Sequence, residues 1–170
     1  MKLKLALTLF IVLLFNISGF SQNTYDFLRL DMSARSAALG GTFVSNTDDP
    51  NVIFYNPAGL SMLSGSPVSF SFLKYLLDIN FASITYSTEL KNIGRVGAAV
   101  QYVNYGKFTG ADEFGNITGD YGAGEVAFLV GYSNIIDKNF YYGANAKFIY
   151  SGIADRSSTG IALDLGLNYN

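Results

Sequence analysis

From Asn139 to Ser151 the chain alternates almost without exception. Phe140, Tyr142, Ala144, Ala146, Phe148 and Tyr150 fall on one side, and Asn139, Tyr141, Gly143, Asn145, Lys147, Ile149 and Ser151 on the other. Successive side chains of a β-strand point to opposite faces, so this pattern predicts a strand with one apolar face. The same period organises five more stretches. Val68, Phe70 and Phe72 oppose Ser69 and Ser71; Ala82, Ile84 and Tyr86 oppose Ser83, Thr85 and Ser87. Val96, Ala98, Val100 and Tyr102 oppose Arg95, Gly97, Ala99 and Gln101, and Val126, Phe128, Val130 and Tyr132 oppose Glu125, Ala127, Leu129, Gly131 and Ser133. Last, Ile161, Leu163, Leu165 and Leu167 oppose Gly160, Ala162, Asp164, Gly166 and Asn168. Every charge within these stretches lies on the non-apolar side, which makes Arg95, Gln101, Glu125, Asn145, Lys147 and Asp164 the candidate inward-facing polar residues.

Alternation by itself does not say what the apolar face touches, since a soluble sandwich or barrel shows the same period. Length and composition of the face point to lipid. The Asn139 segment and its neighbours run to about eleven residues, enough to cross a bilayer at a tilt. Aromatic residues stand at both ends of its apolar face with alanines between, as in a strand with a girdle at each interface. An Arg or Lys on that face near mid-bilayer would cost about 2–4 kcal/mol, and none falls there. The expectation is an all-β, antiparallel transmembrane β-barrel over residues 67–170. Six strands are fewer than the eight of the smallest usual outer-membrane barrel, and an open edge in lipid is not viable. The sequence is therefore expected to be the N-terminal part of a longer barrel, the alternative being assembly with other chains.

The connections suggest an orientation. Leu90–Ile93 and Ile135–Lys138 are expected to be tight turns, Gly106–Gly124 a long Gly-rich acidic loop and Gly152–Ser158 an intermediate one. Outer-membrane barrels keep short turns in the periplasm and long loops outside. On that rule the two longer connections face the exterior with the Leu76–Ile79 turn, and the N-terminus is periplasmic.

Residues 22–66 read differently. Ser33 can N-cap one or two helical turns through Leu39, stopped by Gly40-Gly41. Thr42–Ser45 is expected to be extended. Asp49 caps a second turn that begins at Pro50, and Asn56-Pro57 ends it. Pieces this short and irregular cannot be left facing lipid. They are expected to form a plug in the barrel or across its periplasmic mouth, with a periplasmic arm as the alternative.

Met1–Ser21 has Lys2 and Lys4 ahead of an apolar run and then small residues, the layout of a secretory signal peptide cleaved after Ser21. The apolar run is short of the ~20 residues of a transmembrane anchor. Without Lys2 and Lys4, nine basic residues face thirteen acidic ones, a net charge of −4 that disfavours nucleic acid as a partner. Charged residues are only 14% of the chain against about 25% in soluble domains, while aromatics reach 15%. The chain has no Cys and no His, so it carries no disulfide, no lipidated Cys, no Ser-His-Asp or Cys-His set and none of the usual zinc sites. The acidic loop Gly110–Asp120 does not match EF-hand spacing and reads as a solvated loop. Asp48-Asp49 reads as a cap. No metal, cofactor or enzymatic chemistry is expected.

Leu39-Gly40-Gly41, Asp48-Asp49 and Asn56-Pro57-Ala58-Gly59-Leu60 resemble the N-terminal region of FadL-like outer-membrane barrels. Ser33–Ser61 is similar to the PorV/PorQ family within that group, and Tyr102–Ser133 resembles its PorQ branch, a component of the type IX secretion system of Bacteroidetes. The resemblance implies a barrel of about fourteen strands, within the known range of such barrels, of which this chain supplies about the first half. It implies that Asp49, Asn56, Pro57 and Gly59 belong to a structural plug motif. It further implies a non-enzymatic role in protein secretion, with secretion-system proteins and cargo as partners and outer-membrane lipid as surroundings. A channel for hydrophobic small molecules is the alternative within the same fold.

Overall fold

The computed structural model describes residues 25–170; the signal peptide expected over residues 1–21 lies outside them. Six strands form one antiparallel sheet in sequential order. They are β1 (Val68–Lys74), β2 (Asn80–Leu90), β3 (Gly94–Ala111), β4 (Ile117–Asp137), β5 (Phe140–Ile153) and β6 (Arg156–Tyr169). Each is joined to the next by a hairpin, so every pairing is local in sequence. The sheet is not closed: β1 and β6 are its two edges.

Burial along the strands is inverted relative to a soluble sheet. On β2 the hydroxyl residues Ser83, Thr85 and Ser87 are buried while Ile84 and Tyr86 are exposed. On β6, Ile161, Leu163 and Leu165 are 78–88% exposed. The apolar face is bare, and the polar, small-residue face is covered.

What covers it is the segment before β1. The 3-10 turns at Pro50–Phe54 and Pro57–Met62 lie against the polar face, Phe27 of a 3-10 turn (Asp26–Arg29) joins the core there, and helix α1 (Ala34–Ala38) borders a cavity with Ser71 and Ser83. Ser33 caps α1 by accepting from the Ser36 N–H at 3.0 Å, and Gly40 and Gly41 take positive φ after it. The hydrophobic core lies between segment and sheet: Phe27, Met32, Val52, Ile53, Leu60 and Leu63 pack on Phe81, Ala99, Val103, Ala127, Leu129 and Ile149.

Four expectations are corrected. Thr42–Ser45 joins no sheet, and Val44 and Ser45 lie in a turn closed by the Asn46 N–H on the Phe43 carbonyl at 3.0 Å. Asn56-Pro57 does more than end a turn, because Asn56 caps a further one: its Oδ1 accepts from the Ala58 N–H at 3.1 Å, and Pro57 stands first, where its missing N–H costs nothing. The long loop Gly106–Gly124 is mostly strand. β3 and β4 continue as a two-stranded ribbon paired from Lys107–Gly122 to Ala111–Ile117, after a bulge at Asn104–Lys107. Gly106 occupies that bulge at φ 79°, its N–H bonded to Asn104 Oδ1 at 2.7 Å, so a residue that reads as loop punctuation re-aims a strand here. The tip, Asp112–Asn116, closes on the Asp112 carboxylate, which accepts from the N–H groups of Phe114 and Asn116 at 2.9 and 2.8 Å. Gly152–Ser158 likewise pairs across a two-residue turn at Ala154-Asp155.

Candidate functional site

The interface between the N-terminal segment and the polar face of the sheet is where this molecule concentrates its buried polar groups. Arg95, which is 3% exposed, donates to the carbonyls of Leu63 at 2.6 Å and Gly65 at 2.9 Å, and to Ser87 Oγ at 3.3 Å. A guanidinium has five donors, so it can hold two carbonyls left free where the last 3-10 turn ends. Gln101 donates to the Phe27 carbonyl at 3.0 Å, and Asn145 to the Ile53 carbonyl at 2.7 Å. Glu125 accepts a hydrogen bond from the Tyr105 hydroxyl. Lys147 and Asp164 pair with each other at 2.8 Å. They are diagonal neighbours across β5 and β6, since Asn145 is the residue opposite Asp164. All six residues lie on one face. Three of them hold the backbone of the segment, and three are paired within the sheet.

The four motif residues lie in the segment on the other side of this interface, with Asn56 and Pro57 against β5 and β6 and Asp49 towards β1. Asn56 Nδ2 donates to the Val44 carbonyl at 3.0 Å and to the Leu167 carbonyl of β6 at 3.1 Å, while its Oδ1 caps the turn. Pro57 then sits against two strands at glycines. A Cβ built on Gly143 would lie 2.5–2.7 Å from backbone atoms of Pro57 and Ala58, and one on Gly166 would lie 2.9 Å from Pro57 Cδ. Gly59 is closed in from within the segment, where a Cβ would come 2.5 Å from Val52 Cγ2. Asp49 accepts from the backbone and side-chain nitrogens of Asn51, both at 2.8 Å, and Asn51 reaches across to Ser69 Oγ at 3.1 Å. Asp49 is thus a cap and one relay of the docking network.

Ser133, Gly143 and Gly166 belong to this contact and are not singled out by motif reading. Ser133 is fully buried; its hydroxyl lies 3.0 Å from the Ala58 carbonyl and accepts from Ser61 Oγ at 2.8 Å. The available signal was their type and side: small residues on the non-apolar face of a strand mark where another backbone comes close.

Charge chemistry at the segment is structural. The Asp31 carboxylate gathers hydrogen bonds from Ser36 Oγ at 2.6 Å and the Tyr55 hydroxyl at 3.1 Å. Burial pushes the Tyr55 phenol above its ordinary value, so it stays a donor throughout the physiological range. On the exposed side, the Arg35 guanidinium bonded to Asp48 holds that carboxyl below the usual range. Among the described residues no three His, Cys, Asp or Glu side chains converge as metal ligands. No protein-family model matches the chain, and no curated protein is significantly similar to it.

Proposed function

We propose that the chain is the plugged wall of an outer-membrane β-barrel, its apolar face in lipid and its N-terminal segment in the lumen. The barrel acts without catalysis in type IX protein secretion, docking secreted cargo or attachment-complex partners. The observation that carries the membrane part is the inverted burial. Ile161, Leu163, Leu165 and Leu167 all stand on the bare face of β6. Left in water, these four side chains alone forgo roughly 6–12 kcal/mol of burial at ~1.5–3 kcal/mol each, comparable to the whole net stability of a domain. Lipid removes that cost.

The height of the face fits. Phe140 to Tyr150 on β5 covers about 33 Å along the strand at ~3.3 Å per residue, or about 25 Å of height at a tilt of ~40°, the usual apolar band of such barrels. Further strands, about fourteen in all by the resemblance, close the edges at β1 and β6, because bare edge groups cost several kcal/mol each in hydrocarbon. By the rule that longer connections face outwards, the β3–β4 ribbon is extracellular.

The secretion role is supported by the likeness of Tyr102–Ser133 to the PorQ branch, and by the buried hydrogen bonds of Arg95, Gln101 and Asn145 that fix the N-terminal segment across the polar face. Deleting the gene is expected to stop secreted cargo from reaching the cell surface, measured by proteomics of the surface and periplasmic fractions. Normal secretion with loss of fatty-acid uptake would transfer the reading to a channel.

A further inference from the structure

The β3–β4 ribbon stands beyond its neighbours on both sides, and its two edges are not alike. β2 stops pairing with β3 at Asn80–Asn104, and β5 stops pairing with β4 at Ala123–Ile153. On the β4 side the next turn rises to cap the ribbon, for the Ala154 N–H bonds the Gly122 carbonyl at 3.0 Å. On the β3 side, among the described residues, no backbone hydrogen bond reaches Lys107–Ala111 from a neighbouring strand or turn. That edge presents outward N–H and C=O groups over five residues, about 17 Å at ~3.4 Å each.

Beneath the edge lies the β1–β2 turn, Tyr75–Ile79. It comes close at Gly106, where a built Cβ would lie 3.4 Å from Asp78 Cβ. Leu76 is 71% exposed and Leu77 is 92% exposed. Leu77 and Asp78 both take positive φ, 55° and 63°. Two-residue turns of this kind favour Asn-Gly or Asp-Gly, and a leucine in the left-handed region costs about 1–2 kcal/mol. A fully exposed leucine held there against its own preference gains nothing from folding, which suggests selection for what it touches.

We infer that the free β3 edge from Lys107 to Ala111, with Leu76 and Leu77 as a shelf below it, is a strand-pairing seat for an extended segment of a basic partner protein. The inference rests on the docking reading above and names the place and manner of docking. Edge hydrogen bonds supply affinity, and the shelf receives an apolar side chain from alternate positions of the added strand. The partner's charge follows from the ribbon, where Asp112, Glu113 and Asp120 outnumber Lys107. A second copy would bring the same acidic ribbon against this one, so self-pairing is disfavoured.

The test is amide hydrogen exchange on the full protein extracted from its native outer membrane, compared with and without its co-purifying proteins. Exchange in residues 105–111 and 75–79 is expected to slow about tenfold or more in the complex, with 117–122 unchanged, since protection follows the hydrogen bonds gained. A bound partner that leaves 105–111 unprotected, or protects both strands equally, overturns the seat and leaves the docking reading standing. Protection of the same residues by lipid alone, or by self-association, also overturns it. A protein that holds no partner, and gains none from solubilised outer-membrane proteins of the same strain, overturns both. Leu77→Asn, which tolerates the left-handed turn, is expected to weaken partner binding about tenfold with barrel assembly intact, in line with the loss of one apolar anchor; undiminished binding removes the shelf.

Discussion

Gly143 shows how a single absent atom sets the geometry of the interior. Its added Cβ would meet the backbone of Pro57 and Ala58, which cannot rotate away as a side-chain end can. Gly143→Ala is expected to destabilise by about 1–3 kcal/mol as overpacking, read as a lower denaturant midpoint in lipid vesicles. Gly152→Ala, whose Cβ would sit 3.5 Å from the Tyr150 ring in ordinary contact, is the control and should change little. A second prediction concerns Asp112 at the ribbon tip. Hydrogen bonds from the Asn116 side chain and from backbone N–H groups depress its folded pKa below 3.8. A depressed carboxylate contributes order above its unfolded pKa and loses it as pH falls through the folded one. The amide NMR shifts of Phe114 and Asn116 should therefore titrate together with a midpoint below 3.8, and Asp112→Asn should abolish that titration.

At the scale of the strand, the two faces obey opposite rules although they share one backbone. Phe148 stands on the bare face between Phe128 and Ile161, while its neighbour Lys147 turns inward to Asp164. With the bare face in lipid, as proposed, Phe148→Arg is expected to cost about 2–4 kcal/mol, the range for a cation near mid-bilayer. Refolding yield into vesicles against denaturant measures it. Strand existence and facing were readable from residue types, because side chains alternate whatever the strand packs on. The ribbon was not readable: Gly106, Gly110, Gly119 and Gly122 look like loop residues, and only the pairing of β3 with β4 makes them strand.

Across the whole molecule the N-terminal segment runs the height of the wall. Tyr25, the first described residue, bonds Ser158 near the β5–β6 turn, whereas Leu63 and Gly65 bond Arg95 beside the β2–β3 turn. The expected periplasmic N-terminus at residue 22 lies outside the described residues, while Tyr25 is at the end that carries the β3–β4 ribbon. With no native cysteine, single labels are clean. Spin labels at Leu163→Cys and Leu165→Cys are expected to be open to oxygen and closed to a water-soluble nickel relaxant in native membranes. A label at Thr118→Cys on the ribbon should behave in the opposite way. Nickel access at 165 would remove the lipid reading.

Residue types along the chain are enough to determine six strands, the face each charge occupies and the caps at Ser33 and Asp49, since these follow from periods and local hydrogen bonds of two or three residues. They also mark Asn56 and Pro57 as a motif, but not as the joint to Val44, Leu167 and Gly143, the farthest of which is 111 residues from Asn56. Contacts of that span are invisible to a periodic pattern. Only the folded sheet brings Arg95 to the carbonyls of Leu63 and Gly65, uncovers one side of β3, and reveals that the core lies on the polar face, because burial depends on which segment arrives there.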